Sequence, residues 1–346
     1  MGNTSPHLEM AVPDLLAEAS RLVDDDQGLD AIRRLTEANR VHGDARFEER
    51  LVTLRHDVFP SLPRRPREEL TPEVVREEAD GRLAATDLDD FTVATLRQEL
   101  ARHGCVLVRG LIPPGRAEAL ARGIDRALEA FDGCEASGSP SASPWYVPFA
   151  PPSAGQFAWR RRGWVRASGG LWTADSPHML FELLELVEDT GIAALIEALF
   201  GERPALSANK CTLRRVPTDT NTNWHQDGAF LGRDVRSLNL WLALSPCGVD
   251  APGLDIVPQR FDEILPTGTE GALFDWSVSP TVVEDAAGGP DAIVRPEFGP
   301  GDALLFDHMF LHRTGVSPGM TRERWAIESW FFAPSSYPDG QIPLVY

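Results

Sequence analysis

Two metal-ligating residue types stand two positions apart in the segment N-W-H-Q-D-G, at His225 and Asp227. In an extended segment, side chains two residues apart point to the same side, so this imidazole and this carboxylate can share one ion. A second histidine from a distant strand would complete a set of two histidines and one carboxylate. That set suits Fe(II) and leaves the opposite coordination positions free.

The stretch F-D-H-M-F-L-H-R-T-G supplies two candidates for the second histidine, His308 and His312. They have the same strand parity, so alternation does not separate them. His312 lies inside a strand-like run, with Thr314 two residues on and facing the same way. His308 instead follows the apolar run A-L-L-F at a predicted turn. We therefore predict His312 as the third ligand.

The pattern around these residues predicts helices followed by short strands. Helical periodicity covers 92–103 and 177–200, with a break near Asp189 and Thr190, and Gly104 ends the first helix. The predicted strands are 206–216, 237–244, 254–257, 303–306, 310–315 and 325–332. Helices first and many short strands afterwards indicate a mainly β protein with flanking helices, a jelly roll or barrel.

The strand S-L-N-L-W-L-A-L (237–244) indicates where a cavity lies. Its leucines point to one side, which is typical of a core, while Asn239, Trp241 and Ala243 point to the other. An amide and an indole need hydrogen-bond partners, so a cavity tolerates them better than a core does.

Apolar stripes predict a small helical extension over residues 1–58. One stripe contains Leu15, Ala19 and Leu22, and another contains Phe47 and Leu51. Residues 59–84 contain many prolines and arginines and are predicted to be a linker. We expect the catalytic domain to cover 85–346, with its β core at 205–333.

Residues 132–175 show no periodicity and are predicted to form one long loop. The loop contains a cluster of Trp159, Arg160, Arg161, Arg162, Trp164 and Arg166. A solvated basic surface is one interpretation of this cluster. A lid over an anionic or aromatic substrate is the other.

Several segments of the sequence resemble the phytanoyl-CoA dioxygenase family. They are W-H-Q-D-G-A-F, S-L-N-L-W-L-A-L, G-L-D-I-V-P and G-P-G-D-A-L-L-F-D, together with L-H-R-T-G leading to R-W-A-I. The resemblance covers roughly 85–335. It implies a double-stranded β-helix and a reaction that uses Fe(II), 2-oxoglutarate and O2. It also implies the roles of particular residues. These are His225, Asp227 and His312 as iron ligands, Arg324 as the clamp for the distal carboxylate of 2-oxoglutarate, and Thr314, Trp241, Gln226 and Thr212 as its neighbours.

The sequence departs from the family pattern in two features, one turn and one spacing. Gln259 and Arg260 stand where the family commonly has a Gly-Ser-His turn. The spacing from His312 to Arg324 is one residue longer than expected, so Arg322 is a rival clamp. Arg324 begins the apolar run W-A-I-E-S-W-F-F, where a charge needs a partner inside the barrel, whereas Arg322 follows a turn. We therefore predict Arg324.

The reaction implied by the resemblance is the hydroxylation of a small molecule, coupled to the conversion of 2-oxoglutarate to succinate and CO2. The same cofactors also support desaturation, epimerisation, ring formation and halogenation, but Asp227 opposes halogenation, for which related enzymes replace the carboxylate by a small residue. Two further classes of protein compete with an oxygenase. One is a non-catalytic barrel that binds a small molecule, and the second is a zinc or manganese hydrolase or isomerase.

The composition excludes several classes of function. A net charge of −19 argues against binding nucleic acid, because phosphates require clustered lysine and arginine. No apolar run approaches the roughly 20 residues that span a bilayer. The four cysteines are scattered, which is typical of reduced thiols in the cytoplasm. The arginine-rich sequence contains a single lysine, Lys210, and favours natural-product tailoring over an acyl-CoA thioester as the substrate class.

Overall fold

The computed structural model describes residues 10–64, 83, 85–138, 143–152, 162–220, 223–269 and 271–346. The helices are α1 (Val12–Asp24), α2 (Gly28–His42), α3 (Ala45–Asp57), α4 (Val93–His103), α5 (Pro114–Ser137), α6 (Pro177–Asp189), α7 (Ile192–Phe200), α8 (Gly228–Leu231) and α9 (Pro280–Ala287). The strands are β1 (Ala85–Asp87), β2 (Cys105–Arg109), β3 (Gly170–Trp172), β4 (Ala205–Ser207), β5 (Thr212–Val216), β6 (Ser237–Ala243), β7 (Gly253–Ile256), β8 (Ala303–Phe306), β9 (His312–Gly315), β10 (Arg324–Phe332) and β11 (Pro343–Val345).

The helices begin and end where local chemistry requires it. Thr92 caps α4 by accepting a hydrogen bond from the Thr95 amide at 3.1 Å, and Gly104 ends it with a φ of 73°. The predicted break in 177–200 occurs at Gly191, whose φ of 74° separates α6 from α7. Positive φ favours glycine because it has no Cβ.

The strands form a large sheet and a small one. The large sheet has the order β1-β2-β8-β6-β10-β4-β11, while β5 also pairs with β10 and β3 pairs with β5. Its pairs are antiparallel except for β1 with β2. The small sheet consists of β7 and β9, which are also antiparallel.

The two faces of the large sheet bury different side chains. On β6, Leu238, Leu240 and Leu242 pack in the apolar cluster that also contains the inner sides of α4, α5, α6 and α7. Trp241 and Ala243 belong to a second cluster, shared with Leu254 and Ile256 of the small sheet. The predicted alternation is therefore confirmed, and the space between the two sheets is lined partly by polar side chains.

The predicted N-terminal helices are present as α1, α2 and α3, and they pack on one end of the large sheet. Their apolar cluster includes Ala205 of β4, Val345 of β11 and, at its margin, Phe181 of α6. Arg55 of α3 is buried and donates from Nη1 to the carbonyl of Val345 at 2.8 Å. Of the predicted linker, 59–64 and 83 are described, and Phe59–Ser61 is a 3-10 turn.

The prediction of one long loop over 132–175 is wrong for several parts of it. Helix α5 continues to Ser137, residues 162–167 are helical, and β3 pairs with β5. The last turns of α5 are largely exposed and carry no apolar stripe, so periodicity could not detect them. Residues 139–142 and 153–161, which include Trp159, Arg160 and Arg161, lie outside the described residues. No helix among those described is long and apolar enough to cross a membrane.

Candidate metal centre

His225 and His312 face each other across an isolated antiparallel bridge. The amide of each donates to the carbonyl of the other, at 3.0 and 3.1 Å, and the two ring centroids are 4.4 Å apart. His312 also pairs with Ile256, so it lies on the inward side of the small sheet. Asp227 follows two residues after His225 and is the N-terminal cap residue of the short helix α8.

The ring nitrogens have distinct roles. His225 Nδ1 is 2.9 Å from the carbonyl of Asn223, and His312 Nδ1 is 3.1 Å from the carbonyl of Phe310. A carbonyl oxygen only accepts, so both Nδ1 atoms donate, and Nε2 is the nitrogen of each ring that remains to bind a metal. These Nε2 atoms are 3.9 and 3.8 Å from Asp227 Oδ2.

The donor set fits one metal ion. The ligand atoms of His225, Asp227 and His312 all lie within 4.8 Å of one another. Metal–ligand bonds of about 2 Å reach donors up to about 4 Å apart, so only a small contraction brings all three onto one ion. All three donors would approach the ion from the same side. This is the arrangement of an iron site with two histidines and one carboxylate.

The protonation states also suit a metal. Burial lowers the pKa of His312 to about 4, and neighbouring His225 adds to the effect, so His312 is neutral at pH 7. Burial acts to raise the pKa of Asp227, but the electrostatic effects of Lys210, His225 and His312 together outweigh it, and the net direction is downward. Neutral imidazole and ionised carboxylate are the forms that bind metal.

Lys210 was not predicted as a site residue, although it is the only lysine in the chain. Its Nζ is 2.9 Å from Asp227 Oδ1 and 3.7 Å from the ring centroid of Phe230. It therefore holds one carboxylate oxygen while the other faces the histidines. The sequence contains a sign that this position is special. Every other basic side chain of the Lys/Arg type is an arginine, so the arginine-rich composition does not explain a lysine here.

The rival histidine, His308, lies elsewhere. Its Nδ1 is 2.9 Å from the hydroxyl of Ser237, and its Nε2 is 3.0 Å from the carbonyl of Arg233. Both ring nitrogens are therefore engaged in hydrogen bonds that join the turn after β8 to the start of β6. The structure does not bring His308 into the group formed by His225, Asp227 and His312.

Arg324 and Arg322 differ sharply in burial. Arg324 has no exposed surface, while Arg322 is exposed. Arg324 Nη1 donates to the carbonyl of Gly253 at 2.7 Å, its guanidinium lies 5.3 Å from the Trp241 ring centroid, and its Nε has no partner among the described residues. Burial lowers the pKa of Arg324 to about 10, so it stays charged at neutral pH.

Arg324, Trp241 and Thr314 line the same space. Trp241 lies on the inward face of β6, and its indole Nε1 is buried without a hydrogen-bond partner in the described structure. Thr314 pairs with Leu254, whose side chain also faces inward, and partners in an antiparallel pair share a face. A buried cation, an orphaned indole N–H and a hydroxyl are suited to a carboxylate ligand.

Gln226 and Thr212 have partners that were not predicted. Gln226 Nε2 donates to the carbonyls of Glu263 and Met309, and its Oε1 accepts from the Leu265 amide. Both amide hydrogens are used, so the predicted contact of Gln226 with the cosubstrate is not supported. Gln226 instead fastens the segment after β7.

The Thr212 hydroxyl donates to Glu328 Oε2 at 3.0 Å. Glu328 is an inward-facing, partly exposed carboxylate of β10, paired with Trp241 on one side and Thr212 on the other. Asn239 shares the inward face of β6, and its buried Oδ1 has no partner among the described residues. Glu328 was missed because the run R-W-A-I-E-S-W-F-F gives no sign that its single carboxylate faces a cavity.

The remaining predicted substrate-side residues have structural roles. Arg260 forms an ion pair with Asp307, which fixes the turn after β8. Arg162 is buried and forms a two-point ion pair with Asp175, at 2.6 and 2.8 Å, while Arg166 pairs with Asp132. Of the predicted lid cluster, only Trp164 is strongly exposed in the part of the chain that the structure describes.

The fold is similar to that of solved structures, although no curated protein matches the sequence. Among solved structures, EctD from S. alaskensis with 2-oxoglutarate and 5-hydroxyectoine is similar, with a TM-score of 0.51 and 16% identity over 80% of this chain and 88% of that chain. Its apoform gives a TM-score of 0.51 and 16% identity over 76% of this chain and 85% of that chain. At this identity the likeness shows a shared fold of mixed sheet and helices.

A family model identifies the family to which the chain belongs. The model of the phytanoyl-CoA dioxygenase family matches residues 100–322, which is well over half of the chain and includes the complete histidine–aspartate–histidine group. The resemblance found in the sequence motifs is thereby confirmed. This chain belongs to the phytanoyl-CoA dioxygenase family, whose cofactor is Fe(II) and whose cosubstrates are 2-oxoglutarate and O2.

Proposed function

We propose that this protein is an Fe(II)- and 2-oxoglutarate-dependent dioxygenase that hydroxylates a C–H bond of a small molecule. The observation that carries the proposal is that His225, Asp227 and His312 come together on the inward side of the small sheet, while Arg324 is fully buried on the inward face of the large sheet. A metal hydrolase has no need of a buried arginine, and a simple binding barrel has no need of three metal donors. The two sites together fit an oxygenase that binds a dicarboxylate, and this combination supports the proposal.

His225, Asp227 and His312 hold the iron in this proposal. The two backbone carbonyls at Nδ1 fix the imidazole planes, and Lys210 fixes the carboxylate. Bound Fe(II) supplies the coupling of O2 reduction to the oxidative decarboxylation of 2-oxoglutarate. The contribution of the chain is to present three donors on one face and to leave the opposite positions open.

Arg324, Thr314 and Trp241 hold 2-oxoglutarate. A guanidinium is planar and binds a carboxylate at two points, and in a buried site water does not compete for it. Glu328 and Thr212 form the neighbouring part of the wall. The large sheet and the β7–β9 pair would then be the two walls of a double-stranded β-helix, with the reacting atoms enclosed between them.

The substrate assignment is natural-product tailoring in a reducing compartment such as the cytoplasm. All four cysteines are free thiols and three of them are buried, which supports a reducing environment. A net charge of −19 opposes polyanionic substrates. Asp227 occupies the position at which a halide would otherwise bind, so hydroxylation is favoured over halogenation.

Formation of succinate tests this proposal. Anaerobically purified protein is supplied with Fe(II) and 2-oxoglutarate and exposed to air, and succinate is measured without added substrate. Succinate should form with Fe(II) and not with Zn(II), because Zn(II) has no redox chemistry. Asp227→Ala should abolish succinate formation, while Arg322→Ala, at an exposed arginine of similar sequence context, is the matched control. Succinate formation that is independent of Fe(II), or retained in Asp227→Ala, would contradict the proposal.

A further inference from the structure

Three aromatic side chains surround the solvent side of His225 and are named here the aromatic rim: Phe230, Phe274 and Trp276. The His225 ring stacks on Phe230 at 6.3 Å and meets Trp276 edge to face at 5.8 Å. Phe274 stacks on Trp276 at 5.2 Å with an interplanar angle of 6°. The rim therefore begins at a candidate iron ligand and extends outward from it.

The rim is exposed although it is apolar. Phe230 and Phe274 are 38% and 42% exposed, and Leu273 beside them is 61% exposed. Six large apolar residues are strongly exposed in the described part of the chain, and three of them are in or next to the rim. Exposed apolar side chains scattered singly are ordinary, whereas a cluster of them beside a candidate metal centre marks a binding surface.

Hydrogen bonds join the segment that carries Phe274 and Trp276 to the metal-binding segment. Val278, two residues after Trp276, forms a bridge with Trp224, and its amide donates to the Trp224 carbonyl at 2.9 Å. Gln226 fastens an earlier part of the same connection between β7 and α9, through Glu263 and Leu265. The segment that carries Phe274 and Trp276 is thus tied on both sides to the residues that flank His225, which holds the two rings beside that histidine.

The charges near the rim select against an anionic ligand. The ammonium of Lys210 is already engaged by Asp227 and by the Phe230 ring. Asp275, between Phe274 and Trp276, is exposed, and the whole chain carries a net charge of −19. A polyanion such as coenzyme A would approach against this field, whereas a neutral ring system is not repelled by it and can stack on the aromatic faces.

We propose that the aromatic rim is the substrate subsite of this enzyme, and that it takes a neutral molecule bearing an aromatic or fused-ring system. The ring stacks on Phe274 and Trp276, and the part of the molecule next to His225 is presented to the metal. This inference rests on the proposed oxygenase function and specifies its substrate class. It makes Phe230, Phe274 and Trp276 determinants of specificity.

A paramagnetic probe tests the location of the subsite. The protein is loaded with Mn(II) and 2-oxoglutarate, and the proton relaxation of N-phenyl-1-naphthylamine, a neutral aromatic compound, is followed by NMR. The ring protons should relax faster than with Zn(II)-loaded protein, because the bound ring lies close to the metal. Trp276→Ala and Phe274→Ala should each weaken binding about tenfold, the scale of one lost aromatic contact with its buried area. Trp164→Ala, at an exposed tryptophan outside the rim, is the matched control and should bind like wild type.

Two results would overturn the inference. One is relaxation of the probe that does not change in either rim variant. The other is binding of octanoyl-coenzyme A near Mn(II) as tightly as the neutral probe and independently of Trp276. Wild-type succinate formation with Fe(II) is measured in parallel. If succinate forms but the probe is not relaxed, the rim inference fails alone; if no succinate forms, the proposed function fails and the inference falls with it.

Discussion

Arg324 is fully buried beside the indole of Trp241, and its Nε has no partner among the described residues. A buried charge in this state destabilises the fold unless a ligand completes its environment. Arg324→Ala should therefore weaken 2-oxoglutarate binding steeply. Removing one partner of a buried charge pair costs about 3–5 kcal/mol, which corresponds to two to three decades or more in affinity. Arg322→Ala should change affinity by less than about 1 kcal/mol, the scale of an exposed pair. Titration of 2-oxoglutarate against both variants measures this, and the reverse order would identify Arg322 as the clamp.

The two histidines of F-D-H-M-F-L-H should respond differently to replacement by alanine. His312→Ala removes a ligand atom, so bound iron, measured by elemental analysis, should be lost. His308→Ala should retain iron but lower the free energy of unfolding by about 1–3 kcal/mol, because Ser237 and the Arg233 carbonyl lose a buried partner. Loss of iron in His308→Ala with retention in His312→Ala would show that the third ligand was assigned incorrectly.

At the scale of residues, the sequence predicts the site residues correctly where spacing alone decides their geometry. The interval between His225 and Asp227 places both on one side of an extended segment, and the structure brings them together with His312. The sequence does not predict hydrogen bonds in which a side chain contacts a partner that is remote in sequence. Gln226 reaches Met309, 83 residues away, and Thr212 reaches Glu328, and no local pattern encodes either contact.

At the scale of elements, α3 and α6 are joined by a titratable pair. His178 Nδ1 is 2.9 Å from Glu48 Oε1, and this hydrogen bond raises the pKa of His178 above its ordinary value of 6.5, although Arg126 and partial burial oppose the shift. A raised folded-state pKa means that the pair stabilises the fold fully below pH 6.5, and that this contribution is lost as pH rises through the folded pKa.

Replacement of His178 tests that coupling. The melting temperature of His178→Gln should lie below that of wild type in mildly acidic buffer, and the gap should narrow as the solution is made alkaline. Differential scanning calorimetry across this range gives the comparison directly. A gap that stays constant with pH would mean that the imidazole contributes packing and hydrogen bonding only.

Most of the elements predicted from periodicity are confirmed, but the predicted strand 206–216 is two strands, β4 and β5, separated by a turn at 208–210. The other errors fall where periodicity is absent. Strand β6 and helix α4 carry clear apolar alternation or stripes, and their bounds were predicted within one residue. The end of α5 and the helical residues 162–167 lack such a stripe. Val165 and two ion pairs, Arg166 with Asp132 and Arg162 with Asp175, position them, and these contacts form only when separate segments meet.

At the scale of the whole molecule, the N-terminal helices share a core with the large sheet, so we expect both to unfold together. Phe47 of α3 is fully buried, and Phe47→Ala should cost about 3–5 kcal/mol. All nine tryptophans lie at position 145 or later, so tryptophan fluorescence reports only the region beyond the extension. The denaturant midpoint seen by fluorescence should nevertheless fall in Phe47→Ala.

Val41→Ala is the matched control for this test, because Val41 is exposed on the neighbouring helix α2 and its loss leaves no cavity. Its fluorescence midpoint should equal that of wild type. An unchanged midpoint in Phe47→Ala, with helix content lost at lower denaturant by circular dichroism, would show that the extension unfolds independently. The predicted boundary at residue 58 would then be a true domain boundary.

The contact between Lys210 and Asp227 has a consequence for the chemical reactivity of the molecule. Because Lys210 is the only lysine, the chain has a single side-chain primary amine, and it lies against the candidate iron ligand. Reagents that acylate or carbamylate lysine side chains have one such target in this chain, and modification there removes the charge that holds the carboxylate. A modification that most proteins tolerate at many exposed lysines would, in this one, fall on the single lysine beside the metal centre and inactivate the protein.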